Sequence, residues 1–100
     1  MDRFIVSQAI DGYLDDLHRD AHPLVRKMED LAKERDFPIV GPQVGRLLSL
    51  LTGLIGAQSI LELGSGFGYS AYFFATALPV SGRVHLTDLD PDNLELARRH

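Results

Sequence analysis

The sequence contains no cysteine. Disulfides and thiolate metal centres are therefore excluded, and nothing marks an oxidising compartment. The opening residues, Met1-Asp2-Arg3-Phe4-Ile5, lack the basic segment and apolar run of a secretory signal. The uncharged stretch from Leu47 to Ser59 is interrupted by Gly, Thr, Ser and Gln and is too short to cross a bilayer. Positive charge is also scarce: 10 Lys and Arg stand against 14 Asp and Glu, for a formal net charge of −4. Apart from Arg98-Arg99 the cations are scattered, and Arg26, Lys27 and Lys33 alternate with acids. A solvated helix face explains them, and no nucleic-acid surface is expected. A cytoplasmic protein without membrane or nucleic-acid partners is the default reading.

What is present suits an ordered globular chain. Of 100 residues, 45% are hydrophobic and 24% charged, which is the composition of a small folded domain rather than of a disordered segment. Ile5, Ala9, Tyr13 and Leu17 recur every four residues and predict a first helix with Asp2 as its N-cap. A second helix opens at Pro23 and places Leu24, Met28, Leu31 and Ala32 on one face. Asp36-Phe37-Pro38 is expected to break it, because the residue before a proline avoids the helical region. A third helix, from Gly41-Pro42 through Val44, Leu47, Leu48, Leu51 and Leu54, is apolar on most sides. That pattern predicts burial against a sheet. Gly53 and Gly56 weaken its end.

The rhythm then changes to strand, loop, helix, strand, helix. Ser59 to Leu63 has strand length, and Gly64-Ser65-Gly66-Phe67-Gly68 follows as a glycine-rich loop. A helix from Tyr69 to about Leu78, a turn at Pro79 and Gly82, and a second strand over Arg83–Thr87 come next. Pro91 opens a last helix with Asp90 as its cap. The expected fold class is α/β: N-terminal helices over 1–36, then two strand–helix units of a parallel sheet over 37–100. Two parallel strands leave both sheet edges open, so the chain is expected to be part of a larger fold.

The informative constellation is Glu62-Leu63-Gly64-Ser65-Gly66-Phe67-Gly68 followed by Asp88. A strand running into Gly64, Gly66 and Gly68 and then a helix lets a ligand's polar tail approach bare backbone. Asp88, at the end of the next strand, stands where a ribose diol would be gripped by a carboxylate. A dinucleotide loop would read G-x-G-x-x-G, but the position of its last glycine is Tyr69, and no Walker lysine is present. The leading acid suits a ligand that ends in an amino acid. Glu62 could serve its ammonium, while Ser70 and backbone N–H groups take its carboxylate.

At these residues the sequence resembles the class I S-adenosylmethionine-dependent methyltransferases. More narrowly, Ile60 to Ser70 with its closing Gly68-Tyr69-Ser70 is similar to the cation-dependent O-methyltransferases that include catechol and caffeoyl-CoA O-methyltransferases. The resemblance reaches back to Phe37-Pro38-Ile39-Val40-Gly41 and forward to Thr87-Asp88-Leu89-Asp90-Pro91, about the last two thirds of the chain. It implies a Rossmann-like sheet and S-adenosyl-L-methionine as cofactor. Val40 would touch the methionine end, and Glu62, Gly64 and Ser65 would line the amino-acid moiety. Ser70 would bond its carboxylate, Asp88 would hold the ribose hydroxyls, and Leu89 would lie against the adenine. The implied substrate is a hydroxyl-bearing small molecule, and the implied assembly a homodimer. A divalent cation of the Mg²⁺ type belongs to the full-length family fold, whose metal carboxylates and catalytic base lie in later strands and loops. No catalytic and no metal residue is therefore assigned in this chain.

Blander readings stand beside these. Glu62 could be a buried acid satisfied by backbone donors, and Asp88 a turn residue. His18 and His22 stand four residues apart, but Pro23 opens a new segment directly after His22 and no acidic ligand set accompanies them, so they are not expected to bind metal. His85 reads as a packed or edge strand residue. Tyr69 and Phe73, at helical spacing, read as core before they read as an adenine platform. Asp92-Asn93 resembles the family's later metal pair but sits in a first helical turn, where capping explains it. Two other classes share the layout: a nicotinamide-dependent oxidoreductase, and a non-catalytic nucleotide-binding or assembly module.

Overall fold

A computed structural model of the chain describes residues 5–18 and 21–100. Its elements run α1 (Gln8–Asp16), α2 (Pro23–Glu34), α3 (Gly41–Leu54), β1 (Ser59–Glu62), α4 (Tyr69–Ala77), β2 (Arg83–Leu86) and α5 (Pro91–Arg99). The first helix starts later than its apolar spacing predicts. Ser7 caps it, its hydroxyl accepting from the Ile10 N–H at 3.2 Å, while Ile5 lies ahead of the helix and is fully exposed. The expected cap, Asp2, lies outside the described residues. No residue of α1 is buried; Gln43 ties it to α3 by donating to the Asp11 and Asp15 carboxylates, each at 3.0 Å.

α2 opens as expected at Pro23, and His22 caps it by accepting the Leu24 N–H on Nδ1 at 3.1 Å. Its end differs in mechanism from the expected one. Asp36 adopts a left-handed conformation, φ 50°, so that Phe37 N–H reaches the Ala32 carbonyl at 2.8 Å and Asp36 N–H reaches Lys33 at 3.3 Å. This pair of bonds closes the last turn before the proline restriction acts. α3 ends by the same device at Gly56, φ 63°, with Ala57 N–H on the Thr52 carbonyl at 3.1 Å.

The core joins α2 to α4 and the glycine loop. Val25, Met28 and Ala32 of α2 are buried against Phe67, Tyr69 and Phe73, with Leu24, Leu31 and Phe37 packed around them. α3 does not bury its leucines against a sheet, contrary to the expectation. It turns Gly45, Ser49 and Thr52 towards the interior and lies on α4, while Leu47, Leu50, Leu51 and Leu54 stay exposed. Gly45 permits the approach, since a Cβ there would sit 2.5 Å from the Phe73 ring. An apolar surface on most sides does not mean burial on most sides: α3 meets α4 through its small-residue stripe and α1 through Gln43.

β1 and β2 pair in parallel, with Ser59 beside Arg83, Ile60 beside Val84, Leu61 beside His85 and Glu62 beside Leu86. Exposure alternates along both strands, so Ile60, Glu62, Val84 and Leu86 share the half-buried face. α4 connects the strands and packs on β2. The result places the ends of both strands, the glycine loop and the start of α5 side by side.

Candidate functional site

Backbone polar groups must be satisfied where a strand turns into a loop, and here β2 satisfies those of β1. Thr87, just past β2, donates its hydroxyl to the Glu62 carbonyl at 2.8 Å and accepts the Gly64 N–H at 3.2 Å. Its own N–H reaches the Glu62 carbonyl at 3.2 Å and the Ser65 hydroxyl at 3.1 Å, and its carbonyl accepts the Ser65 N–H at 2.6 Å. The next donor, Gly66 N–H, goes to Asp88 Oδ2 at 2.7 Å. Three successive loop amides are thus turned towards β2. Gly66 and Gly68 hold φ values of 59° and 104°, and there is no room for side chains: a Cβ would meet the Phe37 ring at 2.9 Å and Ala97 at 3.1 Å.

Asp88 is the anchor of this edge. Besides Gly66, it accepts Asp90 N–H at 2.8 Å and the Asn93 amide at 3.4 Å, both on Oδ1. The Asp90 and Gly66 amides hold its carboxyl below the ordinary value of 3.8 against the opposing effect of burial, and Asn93 adds the weakest pull in the same downward direction. It therefore stands ionised, as an acceptor only, at neutral pH. Of roughly four lone-pair sites on a carboxylate, three are already used. A bidentate hold on two further hydroxyls requires Asn93, the longest of the three, to give way.

Glu62 closes β1. The Ser70 hydroxyl donates to its Oε2, while Oε1 is buried with no hydrogen-bond partner among the described residues. α4 begins at Tyr69 with Gly68 as its N-cap and no side-chain cap, so the amides of its first turn are not taken by a capping side chain. Tyr69 is buried in the core and donates its hydroxyl to Glu29 Oε2 at 2.7 Å. Burial first, then the bond and charge of Glu29, then the charge of Asp15, push its phenol far above the usual range.

A cleft of about 210 Å³ lies over this edge, lined by Val40, Gly64, Ser65, Gly66, Ser70 and Asp88 together with the 37–39 segment, Phe67 and Tyr69. Six of the nine expected cofactor residues thus meet in one cleft. Glu62 stands behind Ser70. Gly68 is buried beneath Ala97, and Leu89 is fully exposed beyond Asp88. Tyr69 and Phe73 are core residues, as their spacing suggests, although Tyr69 also lines the cleft. Sequence reasoning gave no part in the cleft to Thr87, to Asn93, which it read as capping, or to Phe37, whose ring covers Gly66 and stands 5.0 Å from that of Phe67. A larger cavity, about 780 Å³, opens among α1, α2 and the start of α3, and shares only Phe37 and Ile39 with the cleft. It is lined by charges of both signs, including Arg26, Lys33, Glu29 and Asp30. Among the described residues no group of three or more His, Asp or Glu side chains is arranged to hold a metal ion, and no helix is long and apolar enough to cross a membrane.

A sequence model of a protein family described as O-methyltransferase matches residues 16–100. A catechol O-methyltransferase of Niastella koreensis is 32% identical over 97 residues, covering 95% of this chain and 44% of that protein. A solved methyltransferase from Geobacter sulfurreducens superposes with a TM-score of 0.88 at 45% identity, over 96% of this chain and 50% of that one. An O-methyltransferase of Streptomyces achromogenes involved in tomaymycin synthesis, solved in complex with SAM, gives 0.80 at 32% identity over 91% of this chain and 42% of that one. The chain spans about half the length, or less, of these proteins.

Proposed function

This chain belongs to the O-methyltransferase family, and from that premise we propose that its glycine-loop cleft binds S-adenosylmethionine for methyl transfer to an oxygen of a small hydroxyl-bearing molecule. Its α/β architecture is the strand–helix start of the Rossmann-like fold it shares with the solved methyltransferases. The observation that carries the proposal is Glu62. A buried carboxylate oxygen without a partner is costly unless a donor arrives, and an ammonium group is the donor that a carboxylate best receives. Ser70, which lines the cleft and whose single hydroxyl proton would turn from Glu62 to the ligand, and the uncapped first turn of α4 suit the carboxylate of the same amino-acid end. Val40, Gly64 and Ser65 would line that moiety, with Gly66 and Gly68 giving the loop its shape.

At the other end, Asp88 would accept a ribose hydroxyl in place of Asn93, and the exposed Leu89 offers an apolar face for the adenine. When bound, S-adenosylmethionine supplies a methyl group on a sulfonium centre, open to in-line displacement by an oxygen nucleophile. What these residues contribute is position: both ends of the cofactor are fixed, so that the sulfonium is presented in one orientation. The described residues do not assemble a cation site, so no step is assigned to the divalent cation that the resemblance implies for the full-length fold. A homodimer, a cytoplasmic location and a division at residue 37 complete the reading, and rest on the resemblance and the sequence alone. The nicotinamide reading is less well supported, because Tyr69 fills the place of the last dinucleotide glycine and is buried there.

The test compares S-adenosylhomocysteine with adenosine, which lacks the amino-acid end. Glu62→Gln is expected to weaken S-adenosylhomocysteine by about tenfold or more, as for a lost charged hydrogen bond, and adenosine by less than about twofold. Calorimetric titration of both ligands reads this directly. Equal losses for the two ligands, or none for either, would overturn the assignment of Glu62 to the ammonium.

A further inference from the structure

The end of α5 reaches back to the glycine loop. We propose that His100 is a positioning residue for the glycine loop: its imidazole fixes the Phe67–Gly68 peptide and through it the geometry that the cofactor meets. The proposal rests on the reading of the cleft as a cofactor site.

His100 follows α5, and its Nδ1 lies 2.9 Å from the Phe67 carbonyl oxygen. A carbonyl only accepts, so Nδ1 carries the proton and donates. The other ring nitrogen, Nε2, is buried with no hydrogen-bond partner among the described residues. The ring stands edge-on to Phe67, centroids 6.0 Å apart. One imidazole thus holds both the side chain and the carbonyl of the same loop residue.

Phe67 is where such a hold matters. It sits between Gly66 and Gly68, both left-handed and both free of side chains that would limit rotation. Its ring is anchored in the core, being 1% exposed, but an anchored ring does not orient the peptide that follows it. Asp88 orients the Gly66 amide from one side. His100 orients the Phe67 carbonyl from the other, and because the peptide is planar and trans, this directs the Gly68 N–H away from α5. Gly68 is the N-cap of α4, so the same bond sets the entry into the helix whose first turn carries Tyr69 and Ser70. Ala97, one turn earlier on α5, packs directly on Gly68. Ala97 and His100, three residues apart, therefore meet the loop at adjacent residues, Gly68 and Phe67.

The test uses this chain with two substitutions. His100→Asn keeps a donor near the place of Nδ1, whereas His100→Leu keeps bulk and removes the donor. S-adenosylhomocysteine affinity is expected to fall several-fold, up to about tenfold, in His100→Leu and to return to within about twofold of the parent in His100→Asn. Without ligand, the amide resonances of Gly66, Gly68 and Tyr69 are expected to move in His100→Leu and to stay near the parent positions in His100→Asn. Equal behaviour of the two variants, whether both unchanged or both impaired, would overturn the positioning role. A parent chain that ignores S-adenosylhomocysteine while its ligand-free loop resonances still separate Leu from Asn would instead sink the cofactor reading and leave the positioning intact.

Discussion

At the carboxyl edge of the strands, residues 65–69 are buried in succession, and the amides of Gly64, Ser65 and Gly66 each have a named acceptor. Along the outer flank of α3, Leu47, Leu50, Leu51 and Leu54 are between 46% and 71% exposed and have no comparable partners. The edge is polar in its bonding and rigid, whereas the flank is apolar and bare. Sequence hydrophobicity alone inverts this order, since the leucines look like core and the Gly-Ser-Gly stretch looks like surface. Along this edge the loop backbone is bonded to Thr87, Asp88 and His100, and the Phe37 ring lies over Gly66. The comparison teaches that here order follows the satisfaction of polar backbone more closely than it follows the density of apolar residues.

The strongest way to break the contrast is to remove the buried ring at the centre of the edge. Phe67→Ala is expected to destabilise the chain by about 3–5 kcal/mol, enough to unfold a small domain in mild urea. A smaller blow is Gly66→Ala, which meets the Phe37 ring and a left-handed φ together. About 1–3 kcal/mol is expected by denaturant melts, with a larger loss of S-adenosylhomocysteine affinity. Smaller still is the effect of acid on Asp88. Its folded carboxyl titrates below 3.8, so the bond to Gly66 N–H is intact above that pH and is lost as pH falls through the lowered value. The Gly66 amide shift should follow that titration, and Asp88→Asn should abolish it. On the flank, Leu50→Gln is expected to change stability by no more than about 0.5 kcal/mol, because the side chain is already 58% in water. A large loss there would show that the flank is as ordered as the edge, and the contrast would be gone.

The strands, the glycine loop and the last helix cap were legible because their signals are local. Ser59 to Leu63 has strand length between glycines and forms a strand one residue shorter, Ser59–Glu62, and Asp90-Pro91 is a cap followed by a first-turn proline, as read. The stop of α2 was placed correctly but for the wrong reason, since a left-handed Asp36 has no signature that distinguishes it from a surface acid. α3 misled because helical hydrophobicity reports how apolar a face is and not which face has a neighbour. Six of the nine expected cofactor residues line the cleft, but their partners were invisible. Thr87 and His100 act on groups brought near them only by folding, Thr87 on Glu62 and the start of the glycine loop and His100 on Phe67, while Asn93, in the first turn of α5, reaches back to Asp88 ahead of that helix. The expected donors shifted as well. Loop amides thought free for a ligand carboxylate are spent on β2, which moves that role to the start of α4.

The central claim is that this edge recognises an amino-acid-bearing nucleoside. The most direct measurement is an amide NMR titration of the chain with S-adenosylhomocysteine, with NAD as the control. The account expects the resonances of Gly64 to Ser70 and of Asp88 to shift with S-adenosylhomocysteine and to ignore NAD. A dispersed spectrum that does not respond to S-adenosylhomocysteine, or responds equally to NAD, would contradict it.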